Sequence, residues 1–126
     1  MFDGRDLDEV ARFANDERSG VAAHAATTRA LSKRLASLTA SARSDDGLVR
    51  VTVGPSGLVT DLELAEGIRR LPAAETALLI LRTMRTAQSA LAALATSVTT
   101  ETVGAGSATG MAIIESYTAR LQPFDE

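Results

Sequence analysis

A β-hairpin near the middle of the chain is the strongest structural signal in the sequence. Segments 48–53 and 58–64 are rich in Val and Leu, and the four residues Gly54-Pro55-Ser56-Gly57 separate them. Apolar and polar residues alternate along both segments, which is the period of a half-buried strand. Pro55 presets φ at the second position of a turn, and Gly57 can adopt a positive φ. The sequence therefore predicts two antiparallel strands joined by a tight turn.

Each strand of this hairpin has one apolar face. We expect these faces to be buried and the alternate positions to stay in water, as in an antiparallel sheet with one solvated side. The apolar residues are Val49, Val51 and Val53 on the first strand and Leu58, Leu62 and Leu64 on the second. The wet positions are Arg50, Thr52, Asp61 and Glu63.

Helical periodicity flanks the hairpin on both sides. Apolar residues recur in steps of three and four over residues 6–37, and Gly20 is a point where this helix is expected to break. Residues 38–44 fit either a continuation of the helix or an edge strand. Pro72 suits the first turn of a second long helix that ends near Val103. The apolar stripe of that helix contains Ala77, Leu78, Leu81, Met84, Leu91, Ala95 and Val98.

Glycines interrupt the helical pattern between residues 104 and 110. Their spacing is G-x-G-x-x-x-G after a helix, whereas the dinucleotide fingerprint is G-x-G-x-x-G after a strand. We therefore expect a flexible link, followed by a weakly docked amphipathic helix over residues 111–122. The order of elements predicts an α+β class, with one domain over 1–103 and a link and tail over 104–126.

The side-chain inventory argues against an enzyme. The chain has no Cys and one His, His24, so thiolate metal sites, disulfides and His-based triads are absent. Asp61 and Glu63 alternate along one strand, which is typical of a wet sheet surface and not of opposed catalytic carboxylates. We expect no cofactor, no metal and no catalytic residue.

Charge and hydropathy limit the partners. The formal net charge of −3 means that any contact with nucleic acid must be local, because neutralising phosphates requires clustered basic residues. The N-terminal residues carry acids where a signal peptide needs a basic start, and the apolar run 77–81 is too short to span a bilayer. We expect a cytoplasmic protein without a membrane partner. Because every basic residue except Lys33 is Arg, the composition is typical of a GC-rich, for example actinobacterial, genome.

The ordered combination of these segments resembles the YbaB/EbfC family of nucleoid-associated DNA-binding proteins. The stretch Asp46-Gly47-Leu48-Val49-Arg50-Val51-Thr52-Val53-Gly54, followed by Val59-Thr60-Asp61-Leu62-Glu63-Leu64, is similar to the central signature of that family. The likeness covers residues 21–103 and includes the helical stretch Arg82-Thr83-Met84-Arg85-Thr86-Ala87-Gln88. The acidic net charge and the segment from Gly104 onward depart from the family pattern.

The resemblance implies a fold, partners and a location. It implies an N-terminal helix, a three-stranded antiparallel sheet whose first strand is 38–44, and a long C-terminal helix, in an intertwined homodimer. It also implies DNA as a partner and the nucleoid as the location. The candidate DNA-contacting residues are Arg29, Lys33 and Arg34 on the first helix, Arg69 and Arg70 before the second, and Arg82 and Arg85 on it.

Two readings of the basic residues remain open. Arg29 and Lys33 lie one helical turn apart, as do Arg82 and Arg85, so each pair shares a face and can bridge neighbouring phosphates. The other interpretation of each pair is a solvated helix surface. The alternative function is a paralogue that does not bind DNA and acts as an interaction module through its tail, for example as a chaperone-like accessory protein of a secretion system.

Overall fold

The fold consists of three helices and a three-stranded antiparallel sheet over the residues that the structure describes. The computed structural model describes residues 4–104 and 106–121, with side chains from Gly20 onward. The elements are α1 (Gly4–Ala36), β1 (Ala40–Arg43), β2 (Val49–Val53), β3 (Val59–Leu64), a 3₁₀ helix (Glu66–Arg70), α2 (Ala73–Val103) and α3 (Ala108–Leu121). The predicted α+β class is confirmed. The division of the chain at residue 103 stays a prediction.

The first helix does not break at Gly20, contrary to the prediction. α1 runs without interruption from Gly4 to Ala36. Gly20 is exposed, and one exposed glycine costs a helix only about 1 kcal/mol relative to Ala. A helix of 33 residues tolerates that cost. Of the predicted apolar positions, those in residues 4–19 have side chains outside the described part of the chain.

The ambiguous segment 38–44 forms the edge strand β1. Sheet order is β1-β2-β3, with Ala40 opposite Val53 and Ala42 opposite Val51. Polar groups of the β1–β2 turn hold the strands together. The Ser44 hydroxyl donates to Asp46 Oδ1 at 2.6 Å and accepts from the Val49 amide at 3.0 Å. Hydrogen bonds within a turn leave no mark on the spacing of apolar residues. Periodicity alone therefore could not decide between helix and strand for this segment.

The predicted turn between β2 and β3 is confirmed. The Gly57 amide donates to the Gly54 carbonyl at 2.9 Å, and Gly57 has φ of 87°. That value lies in the region that only glycine enters without strain. Pro55 occupies the second position of the turn, as its fixed φ requires.

The core lies between the sheet and α2. Val49, Val51 and Val53 are fully buried, as predicted, and α2 packs across β1 and β2. The side chains that α2 presents to them are mainly small, so helix and sheet approach closely. The buried α2 residues are Thr83, Ala87, Leu91, Ala95, Val98 and Thr99. The two Thr hydroxyls are satisfied within the helix, donating to the carbonyls one turn earlier at 2.7 and 2.6 Å.

The predicted burial of the second strand is wrong within the single chain. Leu58, Leu62 and Leu64 are 72%, 42% and 46% exposed. An irregularity in the β2–β3 register brings Val59 opposite Val53, so Leu58 precedes the strand and Val59 joins the apolar face. Because α2 packs across β1 and β2, the apolar face of β3 extends beyond the helix.

The tail helix α3 packs against α2 and the β2–β3 turn. Its Tyr117 and Leu121 are buried in the core, and the Tyr117 hydroxyl donates to the Pro55 carbonyl at 3.4 Å. The Leu121 side chain lies directly over Gly57. α3 begins three residues before the predicted helix, at Ala108, and Gln122 lies outside the described residues. The tail helix thus completes the core at the turn end of the sheet.

Candidate nucleic-acid interface

Three arginines from two elements line one cleft beside α2. Arg82 and Arg85 contribute to it from the helix, and Arg43 contributes from the C-terminal end of β1. The cleft has a volume of about 640 Å³. Its other lining residues are Ser44, Asp45, Asp46, Leu79, Thr83 and Thr86. We name it the Arg cleft.

Hydrogen bonds organise the β1–β2 turn at the floor of the Arg cleft. Ser44 is buried, and the Asp46 carboxylate accepts from the Ser44 hydroxyl and from the Leu48 amide at 3.1 Å. These two hydrogen bonds, that of the hydroxyl first, hold the pKa of Asp46 below its ordinary value. Asp46 is therefore an ionised part of the turn, while Asp45 is exposed beside it.

The guanidinium groups of the Arg cleft have no carboxylate within ion-pair distance in the part of the chain that the structure describes. The ion pairs found there are Arg34–Glu101 at 3.1 Å, Arg50–Glu63 at 3.7 Å and Arg69–Glu66 at 3.3 Å. Arg82 and Arg85 therefore add positive charge to this side of α2, which favours an anion there.

The other predicted DNA-contacting residues occupy different settings. Arg29 and Lys33 line a shallow groove on the exposed side of α1. Arg34 instead connects two helices, because it donates to Glu101 and, at 2.8 Å, to Thr102 on α2. Arg69 and Arg70 are exposed on the 3₁₀ helix. The structure therefore joins Arg82 with Arg85 and Arg29 with Lys33, and the assignment of all seven residues to DNA contact stays a prediction.

Sequence reasoning missed Arg43. It lies 39 positions before Arg82 and on a strand, so no helical spacing connects the two. Only the packing of α2 across β1 brings them to the same cleft. The one signal available was that Arg43 lies near the end of a possible edge strand, 38–44, just before a turn, which does not distinguish it from other exposed basic residues.

An apolar surface lies on the other side of α2. Gln88 Nε2 donates to the Gly57 carbonyl at 3.1 Å, which places that side of the helix over the β2–β3 turn. Leu81 lies two helical turns before Gln88, on the same side. We name this the β3-side surface. Its members are Val59, Leu62, Leu64 and Leu81, which are 44%, 42%, 46% and 43% exposed.

Sequence comparison identifies the class of protein that this fold and site define. The sequence profile of the YbaB/EbfC DNA-binding family matches residues 20–106. The chain belongs to the YbaB/EbfC DNA-binding family. The matched residues include the sheet, α2 and every arginine of the Arg cleft, whereas α3 lies beyond them. No curated protein matches the chain.

The family assignment supports a nucleoid-associated, DNA-binding role. The family is one of DNA-binding proteins and not of enzymes. Within the described ranges, no group of His, Cys, Asp and Glu side chains has the arrangement of a metal site. None of the helices in those ranges has the length and apolar character needed to cross a membrane.

Proposed function

We propose that the protein is a homodimeric, nucleoid-associated protein of the cytoplasm that holds the DNA backbone through clusters of Arg and contributes little sequence specificity. The observation that carries this proposal is that Arg82 and Arg85 line the same cleft in a member of a DNA-binding family. Guanidinium groups form charge-assisted, often bidentate hydrogen bonds with phosphate. Phosphate contacts position a protein on DNA but do not read its sequence.

The overall charge supports local contact over a broad basic surface. With a formal net charge of −3, the chain cannot attract DNA through its average field. Two pairs provide local positive charge: Arg29 with Lys33 on α1, and Arg82 with Arg85 on α2. A dimer would present each pair twice, so about eight phosphates would be contacted, and log K would fall with log salt at a slope of about −7.

The β3-side surface supports the homodimer. A soluble chain seldom leaves an apolar strip uncovered along an edge strand, because such an edge pairs readily with another chain. β3 has all six residues exposed, and among the α1 side chains that the structure describes, from Gly20 onward, the first buried one is Leu31. A second copy that covers β3 and this part of α1 would complete the thin core that one chain builds.

Salt-dependent titration of DNA tests the proposal. Fluorescence anisotropy with mixed-sequence duplexes would be measured between 50 and 200 mM salt for the wild type and for the double variant Arg82→Ala/Arg85→Ala. We expect the variant to bind roughly 100-fold more weakly and with a shallower salt dependence, since charged hydrogen bonds are lost at both subunits. Arg120→Ala, on α3 beyond the family-matched residues, is the charge control. Absence of wild-type binding at low salt for varied duplexes would refute the proposal.

A second candidate is a protein-interaction module that uses the tail. α3 lies outside the family-matched residues, and its Met111 is 54% exposed. Exposed methionine suits adaptable apolar contacts. Partners recovered by affinity purification after nuclease treatment, and lost with Met111→Glu, would support this candidate.

A further inference from the structure

We propose that the face of the sheet turned away from α2 carries a binding site for one phosphate group, and that this site holds a backbone phosphodiester when the protein binds DNA. The DNA part of this inference rests on the proposed function, whereas the phosphate part follows from the chemistry of the face itself. The site consists of two arginines and two hydroxyl-bearing residues on β1 and β2: Ser41, Arg43, Arg50 and Thr52. We name it the sheet-face site.

The register of β1 and β2 puts these four side chains on one face. The three valines of β2 are buried toward α2, so the alternate residues Arg50 and Thr52 lie on the opposite face. Arg43 stands opposite Arg50, and Ser41 stands opposite Thr52. The Ser41 and Thr52 hydroxyl oxygens are 2.8 Å apart, as expected of paired side chains that share a face. Both arginines are exposed, so water or a ligand can reach them in the single chain.

The two arginines occupy a closely spaced position of the β1–β2 ladder. The Ser44 amide donates to the Val49 carbonyl at 2.9 Å, which is a hydrogen-bonded position. Arg43 and Arg50 occupy the next position, where paired residues exchange no hydrogen bonds and their Cα atoms lie about 4.5 Å apart. Like charges at such positions destabilise a sheet. The sheet therefore holds two positive charges side by side against their repulsion.

One of these two charges has no balancing carboxylate in the described part of the chain. Arg50 pairs with Glu63 of β3, but at 3.7 Å and with both side chains in water. An ion pair of this kind contributes little. Arg43 has no carboxylate within ion-pair distance among the described residues. A phosphate between the two guanidinium groups would supply the missing negative charge.

The neighbouring pair supplies hydroxyl groups that suit the same ligand. Arg forms charge-assisted, often bidentate hydrogen bonds with phosphate, and the hydroxyls of Ser and Thr also contact phosphate oxygens in protein–DNA complexes. Ser41 and Thr52 stand two residues along from the arginines on the same face. The acidic residues that flank the site are Asp61 and Glu63 on β3 and Asp45 in the β1–β2 turn. An anion would therefore bind over β1 and β2, away from β3.

The variant Arg43→Gln has two expected effects of opposite sign. It relieves the repulsion, so the equilibrium constant for unfolding in urea, without phosphate, should fall about twofold. It also removes a phosphate ligand, so affinity for a mixed-sequence duplex should fall about tenfold in fluorescence anisotropy. A disturbed fold cannot make the chain more stable and its DNA binding weaker. Arg120→Gln, which removes one positive charge on α3, is the control and should bind DNA as the wild type does without gaining stability.

A second variant, Arg50→Gln, separates the sheet-face site from the Arg cleft. Arg43 also lines the edge of the Arg cleft, whereas Arg50 does not. We expect Arg50→Gln to weaken DNA binding as much as Arg43→Gln does. The loss in log affinity should add to that of Arg82→Ala/Arg85→Ala, because independent sites contribute additively. Weakening by Arg43→Gln alone would assign Arg43 to the Arg cleft and refute the sheet-face site.

A titration without DNA separates the two parts of the inference. Backbone amide NMR shifts of the full chain would be followed with diethyl phosphate, a phosphodiester, and with inorganic phosphate. We expect shifts at residues 41–43 and 50–52 that Arg43→Gln abolishes and Arg120→Gln preserves. Shifts with both compounds and with DNA assign the site to the phosphate group itself. Shifts with the compounds and no DNA binding would support the site and refute the proposed function.

The remaining outcomes overturn the inference. If the wild type binds DNA with a steep salt slope while Arg43→Gln and Arg50→Gln match the control, the sheet face holds no phosphate and the proposed function stands. If Arg43→Gln is less stable than the wild type, the repulsion on which the inference depends is absent and the site is refuted. Absence of shifts at residues 41–43 and 50–52 with diethyl phosphate, inorganic phosphate and DNA refutes it as well.

Discussion

The two edge strands of the sheet, β1 and β3, differ in length, in polarity and in how much of each strand α2 covers. β1 has four residues, small apolar side chains toward α2, and a polar turn that leads into the Arg cleft. β3 has six residues, all exposed, and its apolar face extends past the helix. Both edges belong to the same sheet and face the same helix. The off-centre position of α2 thus produces a charged cleft at one edge and an uncovered apolar strip at the other.

Side-chain size explains why α2 lies toward β1. On the face that carries Val51, the opposite residue is Ala42 on β1 and Leu62 on β3. A helix can approach a strand closely over Ala, whereas the larger Leu side chain keeps the helix farther from the strand. The helix consequently covers the strand with small residues, and the Leu-bearing strand is available to another chain. From this comparison we predict that self-association uses the β3 edge.

The largest expected effect is the loss of the dimer on placing charge at the β3 edge. In Leu62→Glu/Leu64→Glu, two apolar side chains per subunit are lost from the interface and carboxylates enter it. We expect the dimer dissociation constant to rise at least about 100-fold, measured by sedimentation velocity. Ser41→Glu on β1, which is exposed at the other edge, should leave it unchanged. A double variant that sediments as the wild type does would remove β3 from the interface.

Two variants that each remove apolar volume, at paired positions of β2 and β3, test the difference between the covered and the uncovered strand. Val51→Ala removes buried methyl groups that α2 covers within the chain, so unfolding free energy should fall by about 2 kcal/mol at every protein concentration. Leu62→Ala alters a side chain that only a partner would cover. The loss of unfolding free energy in Leu62→Ala should therefore grow as the protein is diluted, because this variant weakens association of the subunits. Urea unfolding at several concentrations measures both, and equal behaviour of the two variants would contradict the assignment.

The two turns permit a matched glycine test. Gly47 and Gly57 have φ of 73° and 87°, so Ala at either position is strained by about 1–2 kcal/mol. A Cβ at Gly47 meets nothing within 4 Å, whereas one at Gly57 would collide with Leu121 of α3. We expect Gly57→Ala to destabilise the fold more than Gly47→Ala does, as measured by thermal unfolding. Equal losses would mean that α3 does not hold the β2–β3 turn.

The smallest expected effect concerns pH at the β1–β2 turn. The pKa of Asp46 is lower in the folded chain than in the unfolded chain, so its carboxylate stabilises the fold above its ordinary pKa of 3.8. This contribution is lost as pH falls through the lower folded value. Asp46→Asn retains an acceptor oxygen but not the charge, so its urea midpoint should be slightly below that of the wild type at pH 7. The difference should shrink from about pH 5 to about pH 2. A difference independent of pH would assign it to hydrogen-bond geometry alone.

The parts of the fold that were predictable from the sequence are those that neighbouring residues determine. Val49, Val51 and Val53 show strand periodicity, and Pro55 with Gly57 specifies the turn, so the hairpin was predictable from residues close in sequence. Family resemblance supplied the first strand, where the residue pattern allowed both helix and strand. The predicted break at Gly20 was wrong, because a local propensity of about 1 kcal/mol does not outweigh a long helix around it. The predicted burial of Leu62 was wrong because periodicity shows which residues share a face but not what covers that face.

The amino-acid sequence by itself determined the two long helices, the hairpin with its turn and the absence of cysteine chemistry, since these depend on residue types and short spacings. Tertiary structure alone decided that α2 covers β1 and β2, that the apolar face of β3 stays exposed, and that Arg34 pairs with Glu101. Each of these depends on a distance between residues far apart in the chain. Such distances are set by how closely side chains of different size pack, which no local pattern records.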